Sequence, residues 1–181
     1  MKKVILGILS VCVVLVIVGL VLRPIFFVHG NNKENIINVI NSSDLFKNKE
    51  SIKILKIIDD KNERIVPFLY NNHPSYILFY KDKFGNYKFE HSETKSGESL
   101  SVFPIKLSLD RVIIVSNYYN NVTKLIMKAN DVKILEDEIS VPNETASFYK
   151  IHNLLIQRDH GYHVEYELYD KEGKPVNKDV D

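Results

Sequence analysis

The sequence predicts an N-terminal transmembrane helix followed by a mainly β exported region. In that region a short helix and an antiparallel meander precede a small β-sandwich-like module. Three observations carry this reading. Residues 4–22 are apolar or small without a break. From residue 51 onward the hydrophobic signal has period two and is rich in Ile, Val, Leu, Tyr and Phe, as in half-buried strands. Between these runs Asn, Asp, Gly and Pro recur at short spacing, as the turns of a β protein do. The chain has 181 residues, enough for one domain with an accessory segment or for two very small domains.

The first element is the apolar run Val4–Leu22, interrupted only by Gly7, Ser10 and Gly19. As a helix it would span roughly 28 Å, close to the hydrocarbon thickness of a bilayer. It has no polar face to offer solvent, which a buried core helix would need. Lys2 and Lys3 precede it and Arg23 follows, a bias that favours a cytoplasmic N-terminus and an extracytoplasmic C-terminal region. Pro24 ends the helix, with Phe26, Phe27 and His29 at the outer interface. No A-x-A-like cleavage site follows Leu20, which argues for an uncleaved signal-anchor. A lipobox at Leu9-Ser10-Val11-Cys12 would place Val11 where a small residue is wanted. Cys12 is the only cysteine, so the exported region is expected to lack disulfides and thiolate chemistry.

Gly30-Asn31-Asn32 breaks the chain, and Lys33–Leu45 places Ile36, Ile37 and Ile40 at helical spacing. Strands are expected at Ser51–Asp59, Arg64–Tyr70 and Ser75–Lys81, with turns at residues 60–63 and 71–74. Phe84-Gly85-Asn86 supplies a positive-φ hairpin into Tyr87–Glu90. The polar stretch His91–Ser99 is the best internal boundary. It divides the chain into an anchor with its flank (1–29), a helix plus meander (33–95) and a sandwich-like module (100–178). In that last part Val102–Leu109, Arg111–Tyr118, Val122–Lys128, Val132–Leu135, Ile139–Val141, Phe148–Ile151, Leu154–Arg158 and Tyr162–Tyr169 read as strands. Tyr162, Val164, Tyr166 and Leu168 take one face of the final strand, and His163, Glu165 and Glu167 the other. A tight turn over residues 170–174 puts Gly173 in the left-handed region.

The closing segment from Val164 to Val176, with its strand and Tyr169-Asp170-Lys171-Glu172-Gly173-Lys174 turn, resembles the final hairpin of small membrane-anchored or lipoprotein β domains of Gram-positive bacteria. The resemblance covers the last third of the chain. It implies an envelope location and a sandwich-like fold, and it transfers no functional residues.

Composition and motifs exclude several functions. A net charge of +1 provides no basic field for a nucleic-acid backbone. The chain has no G-x-S-x-G elbow, and its 7 glycines are scattered rather than gathered in a phosphate cradle. His160 and His163, with Glu165 on the face of His163, form the most metal-like cluster, and His152 is a possible third ligand. Two histidines at a solvated hairpin tip account for the same residues. Glu136, Asp137 and Glu138 form an acidic stretch without the D-x-D-x-D-G pattern of calcium loops, and a hairpin turn explains them. Tyr118, Tyr119, Tyr149, Tyr162 and Tyr169 offer an aromatic ligand surface or, the commoner use, the packing of a sandwich edge.

The expected protein is therefore a non-catalytic, cofactor-free binding or interaction domain, held to the membrane through residues 4–22. Its partner would be another protein or an envelope polymer. The alternatives are an accessory subunit of a membrane complex acting through its transmembrane helix, and an envelope enzyme without a recognisable motif.

Overall fold

The structure is a computed structural model that describes residues 12–13, 29–42, 51–106, 108–140, 143–151 and 163–176. Among the described residues it is mainly β, with antiparallel sheets and one short helix, Lys33–Ser42. Of the apolar run 4–22, only Cys12 and Val13 are described, and both are exposed. Among the described residues no helix is long and apolar enough to cross a membrane.

Helix α1 spans Lys33–Ser42. Asn32 caps it, its Oδ1 accepting from the Asn35 N–H at 2.8 Å, which satisfies one of the orphan donors of the first turn. Ile36, Val39 and Ile40 are buried. Val39 thus takes the core position expected of Ile37, which is only half-buried.

The strands are β1 (Ile52–Ile54), β2 (Ile58–Asp60), β3 (Glu63–Tyr70), β4 (His73–Lys81), β5 (Tyr87–Thr94), β6 (Leu100–Ile105), β7 (Ser108–Ser116), β8 (Lys124–Ala129), β9 (Val132–Glu138), β10 (Thr145–Lys150) and β11 (Val164–Tyr169). They form a five-stranded sheet in the order β1-β3-β4-β5, with β2 also on β3, and two three-stranded sheets, β10-β7-β6 and β11-β8-β9. The described chain divides into two compact units. Residues 29–42, 59–64 and 78–91 make one, and residues 51–58, 65–77 and those from 92 onward make the other.

Several elements differ from the sequence expectation. Residues 51–59 form two short strands separated at residues 55–57, although the Leu55 N–H still bonds the Pro67 carbonyl at 3.1 Å. The turn between β3 and β4 needs only Asn71 and Asn72, at φ 48° and 66°. Asparagine tolerates the left-handed region, so Pro74 is released into β4. Strand β5 runs on to Thr94, four residues beyond Glu90. Residues 136–138 lie inside β9, not in a turn. Gly85 (φ 87°) and Gly173 (75°) take the turn conformations expected, and Asn130 and Asp131 (48° and 64°) close the turn between β8 and β9.

In the second unit, β6 and residues 112–116 of β7 carry buried side chains on both faces. Leu100, Val112 and Ile114 join Leu125, Met127, Ala129 and Leu168 of the β11-β8-β9 sheet in one apolar cluster. On the opposite face of β6 and β7, Phe103, Ile105, Ile113 and Val115 are also buried. There the Phe103 ring packs on Tyr76 of β4, with centroids 5.1 Å apart. In the first unit, Arg64 binds the chain entering from the N-terminus. Its Nη1 donates to the Gly30 and Asn31 carbonyls at 2.9 and 2.8 Å, Nε and Nη2 grip Asp59, and the guanidinium lies 4.0 Å over the Tyr87 ring.

Candidate functional site

The metal-like cluster is only partly described. His160 and His152 lie outside the described residues. His163 precedes β11 with its N–H bonded to the Asn130 side chain at 3.0 Å, and its Nε2 sits 3.0 Å from Glu165 Oε1. Both side chains are exposed. Among the described residues no three His, Cys, Asp or Glu side chains gather as a metal site would require.

Strand β11 has the facing read from its alternation. Val164, Tyr166 and Leu168 stand opposite Ala129, Met127 and Leu125 of β8. Glu165 and Glu167 take the other face, where Lys128 pairs with Glu167 and the Tyr169 hydroxyl donates to Glu167 at 3.2 Å. On β9, Glu136 receives Lys124 at 2.5 Å and Lys133 at 2.6 Å. Those two lysines pull its carboxyl down to about 2. Of the acidic stretch, Glu136 is thus part of a lysine–carboxylate lattice on a sheet face, whereas Asp137 stands opposite Leu125 on the other face. An open cleft of about 750 Å³ adjoins this face, lined by Lys124, Glu138, Ser140, Tyr169 and Lys171 among others. Of its lining residues, Lys124 is committed to Glu136 and the Asp170 side chain to the backbone of its own turn.

The tyrosines divide. Tyr149 packs against the apolar cluster, and burial pushes its hydroxyl up to about 12. Tyr169 is half-buried, and Tyr162 lies outside the described residues. Tyr118 and Tyr119, by contrast, are 58% and 77% exposed. They form the turn between β7 and β8, with ring centroids 6.1 Å apart and planes at 82°. Packing of a sandwich edge therefore describes Tyr149 and not this pair.

The turn that presents the pair is built from two buried asparagines. Asn117 is 5% exposed and Asn120 3%. The Asn117 N–H bonds the Ser99 carbonyl at 2.9 Å, its Nδ2 donates to the Asn72 carbonyl at 2.8 Å, and its Oδ1 accepts the Tyr119 N–H at 2.9 Å. This one residue thereby joins the β3–β4 turn and the β7–β8 turn through its side chain and the loop before β6 through its backbone. Asn120 bonds both polar groups of the Val122 backbone, at 2.9 and 3.0 Å. Ser116 fastens the base to the Asn143 carbonyl and the Thr145 hydroxyl. From Asn117 to Thr123 no residue carries a formal charge. The tip offers rigid, neutral aromatic area, suited to stacking and apolar contact and not to acid–base chemistry. A signal for it was present: two tyrosines bracketed by Asn117, Asn120 and Asn121, residues that make turns through side-chain bonds to the backbone.

No protein-family model, curated protein or solved structure matches the chain.

Proposed function

We propose that the chain is a single-pass, membrane-anchored extracytoplasmic protein whose sandwich-like β module binds a protein or an envelope polymer without catalysis. The observation that carries the reading is the Tyr118–Tyr119 tip, two solvent-facing rings on a turn whose backbone is pinned by buried asparagines. Tyrosine buries a large area at small entropic cost and is enriched at binding hot spots. A turn already held in one geometry loses little freedom on binding. The apolar run 4–22 supports the membrane location, and the sheet pair β10-β7-β6 and β11-β8-β9, sharing one apolar cluster, supports the sandwich-like module.

The test is in-cell crosslinking from position 121, beside the tip, followed by partner identification in the wild type and in a Tyr118→Ala/Tyr119→Ala variant. The expected result is a discrete adduct that disappears in the double variant while its thermal unfolding is unchanged. An adduct that persists places binding elsewhere. Hydrolysis of a wall or lipid substrate by the purified chain would refute the non-catalytic reading. Replacing residues 4–22 by an unrelated anchor should preserve function, whereas a specific role of the helix within a membrane complex would make it fail.

A further inference from the structure

We propose that the tip of the β4–β5 hairpin docks on an anionic lipid surface; this rests on the reading of residues 4–22 as a membrane anchor. At the apex of the hairpin, Phe84 is 77% exposed. The turn beneath it is fixed, because Asp82 Oδ1 accepts the N–H groups of Phe84 and Asn86 at 2.8 and 2.9 Å. Gly85, at φ 87°, donates to the Asp82 carbonyl at 3.0 Å. The backbone at the apex is thus held in one geometry, with the Lys83 ammonium 5.1 Å over the Phe84 ring.

Exposed lysines surround it. Lys81, Lys83 and Lys88 flank the turn, and the Lys81 N–H bonds the Asn62 carbonyl at 2.6 Å, which brings the Lys61 turn alongside. The carboxylates close to them are withdrawn or engaged. Asp60 and Glu63 are buried, Asp59 is gripped by Arg64, and Asp82 is spent on the turn backbone, with Lys88 Nζ 3.6 Å away. Glu34 and Glu90 are the further exposed carboxylates of this unit. Lys61 and Lys83 make no ion pair among the described residues. An apolar apex within a lysine collar matches a surface that is negative at its headgroups and apolar beneath. A soluble polyanion would use the lysines and leave the ring without a role.

The tether permits this contact. His29 pairs with Lys88 on β5, and the apolar run ends at Leu22. Seven residue steps reach at most ~25 Å, while the four residues from Lys88 to Phe84 cover only ~13 Å. The bilayer surface is therefore within range of the hairpin tip.

The chain has no tryptophan, so Phe84→Trp introduces a single indole. The full-length variant is placed in nanodiscs of phosphatidylcholine alone or mixed with phosphatidylglycerol, and emission is read with brominated lipid and with acrylamide. The expected result is a blue-shifted emission that brominated lipid quenches in the anionic discs. Each of Lys61→Gln, Lys81→Gln and Lys83→Gln should lower the docked-to-free ratio roughly 5-fold. An indole quenched by acrylamide alone in both lipids overturns the proposal, as does an equal response in the two lipids. So does a blue shift produced by soluble polyanion without lipid, which would assign the collar to an acidic polymer. Co-migration of chain and disc is scored separately. A chain that does not stay with the disc defeats the anchor reading itself, whereas one that stays while its indole remains in water defeats only the docking.

Discussion

Replacing Asn117 by alanine separates the rigidity of the tyrosine tip from its chemistry. The side chain is 5% exposed and makes two well-placed bonds, Nδ2 to the Asn72 carbonyl at 2.8 Å and Oδ1 from the Tyr119 N–H at 2.9 Å. A net ~1 kcal/mol per bond, plus the penalty for groups left unsatisfied under partial burial, gives about 2–3 kcal/mol of destabilisation. At roughly 3 °C per kcal/mol for a chain of this size, Tm should fall by about 6–9 °C. Tyr118→Ala and Tyr119→Ala remove exposed rings and should stay within about 0.5 kcal/mol of wild type. The assay is thermal unfolding followed by far-UV circular dichroism, with crosslinking yield from position 121 measured below the transition. Asn117→Ala should lower both quantities, and the tyrosine variants only the second. Asn117→Asp adds a check on sign. It keeps the acceptor for Tyr119 but turns an oxygen toward the Asn72 carbonyl, so the carboxyl's folded pKa lies above its unfolded value. Its stability should therefore be highest below pH ~4 and fall as pH rises through the folded pKa. A Tm for Asn117→Ala within a degree of wild type would refute the argument that this residue holds the three loops together.

Gly30→Ala places a Cβ 2.6–2.7 Å from the Phe79 ring carbons, and Phe79 is fully buried. Overpacking of about 1–3 kcal/mol is expected, read as a lower urea midpoint at unchanged m-value. Arg64→Lys loses the two-pronged grip on Asp59 and the fork that reaches the Gly30 and Asn31 carbonyls, so hydrogen exchange should quicken in residues 29–36. Arg64 holds the Asp59 carboxyl below its ordinary value. This stabilisation is present above the ordinary carboxylate range and is lost as pH falls through the lowered pKa. The acid limb of the stability profile should therefore be shallower in Arg64→Lys, by a small amount because Asp59 is half exposed. The Glu136 carboxyl should titrate at about 2 by carbon-13 NMR, and Lys124→Gln with Lys133→Gln should return it to about 4.3.

Period-two alternation was legible where strands carry one apolar and one polar face. Glu165 and Glu167 against Val164, Tyr166 and Leu168 gave β11 its correct facing, and Gly85 and Gly173 marked turns that only a positive φ can close. Residues 51–59 defeated the same rule, because an unbroken Ile- and Lys-rich run contains nothing local to show that pairing lapses at residues 55–57. Asp137 and Glu138 resemble a turn in one dimension. They lie in a strand because β9 pairs with β8, Asp137 opposite Leu125 and Glu138 opposite Lys124, a cross-strand register that the local sequence does not display. The tyrosines failed for a related reason. Composition gives Tyr118 and Tyr149 the same value, and only topology distinguishes a turn apex from the inner side of β10. The side chains that hold the tip are asparagines, which a search for reactive groups passes over.

Among the described residues, three aromatic rings are more than half exposed, namely Phe84, Tyr118 and Tyr119. All three stand on turns whose backbone N–H groups are taken by an Asp or Asn side chain, Asp82 for Phe84 and Asn117 for Tyr119. The device itself is not the functional mark, because Asp170 closes the turn at residues 171–174 in the same way, accepting from Glu172 and Lys174 with no ring presented. What distinguishes the other two turns is that they present a ring to solvent, Phe84 on one and Tyr118 with Tyr119 on the other. Two or three rings supply only a weak contact in free solution. On the proposed reading, an anchor at residues 4–22 would raise the effective concentration of membrane neighbours, to millimolar for short tethers, so that contacts too weak to hold a soluble protein would suffice. Release of the same β region from its anchor should then abolish capture by the tyrosine tip at micromolar concentrations, with the tip itself unchanged.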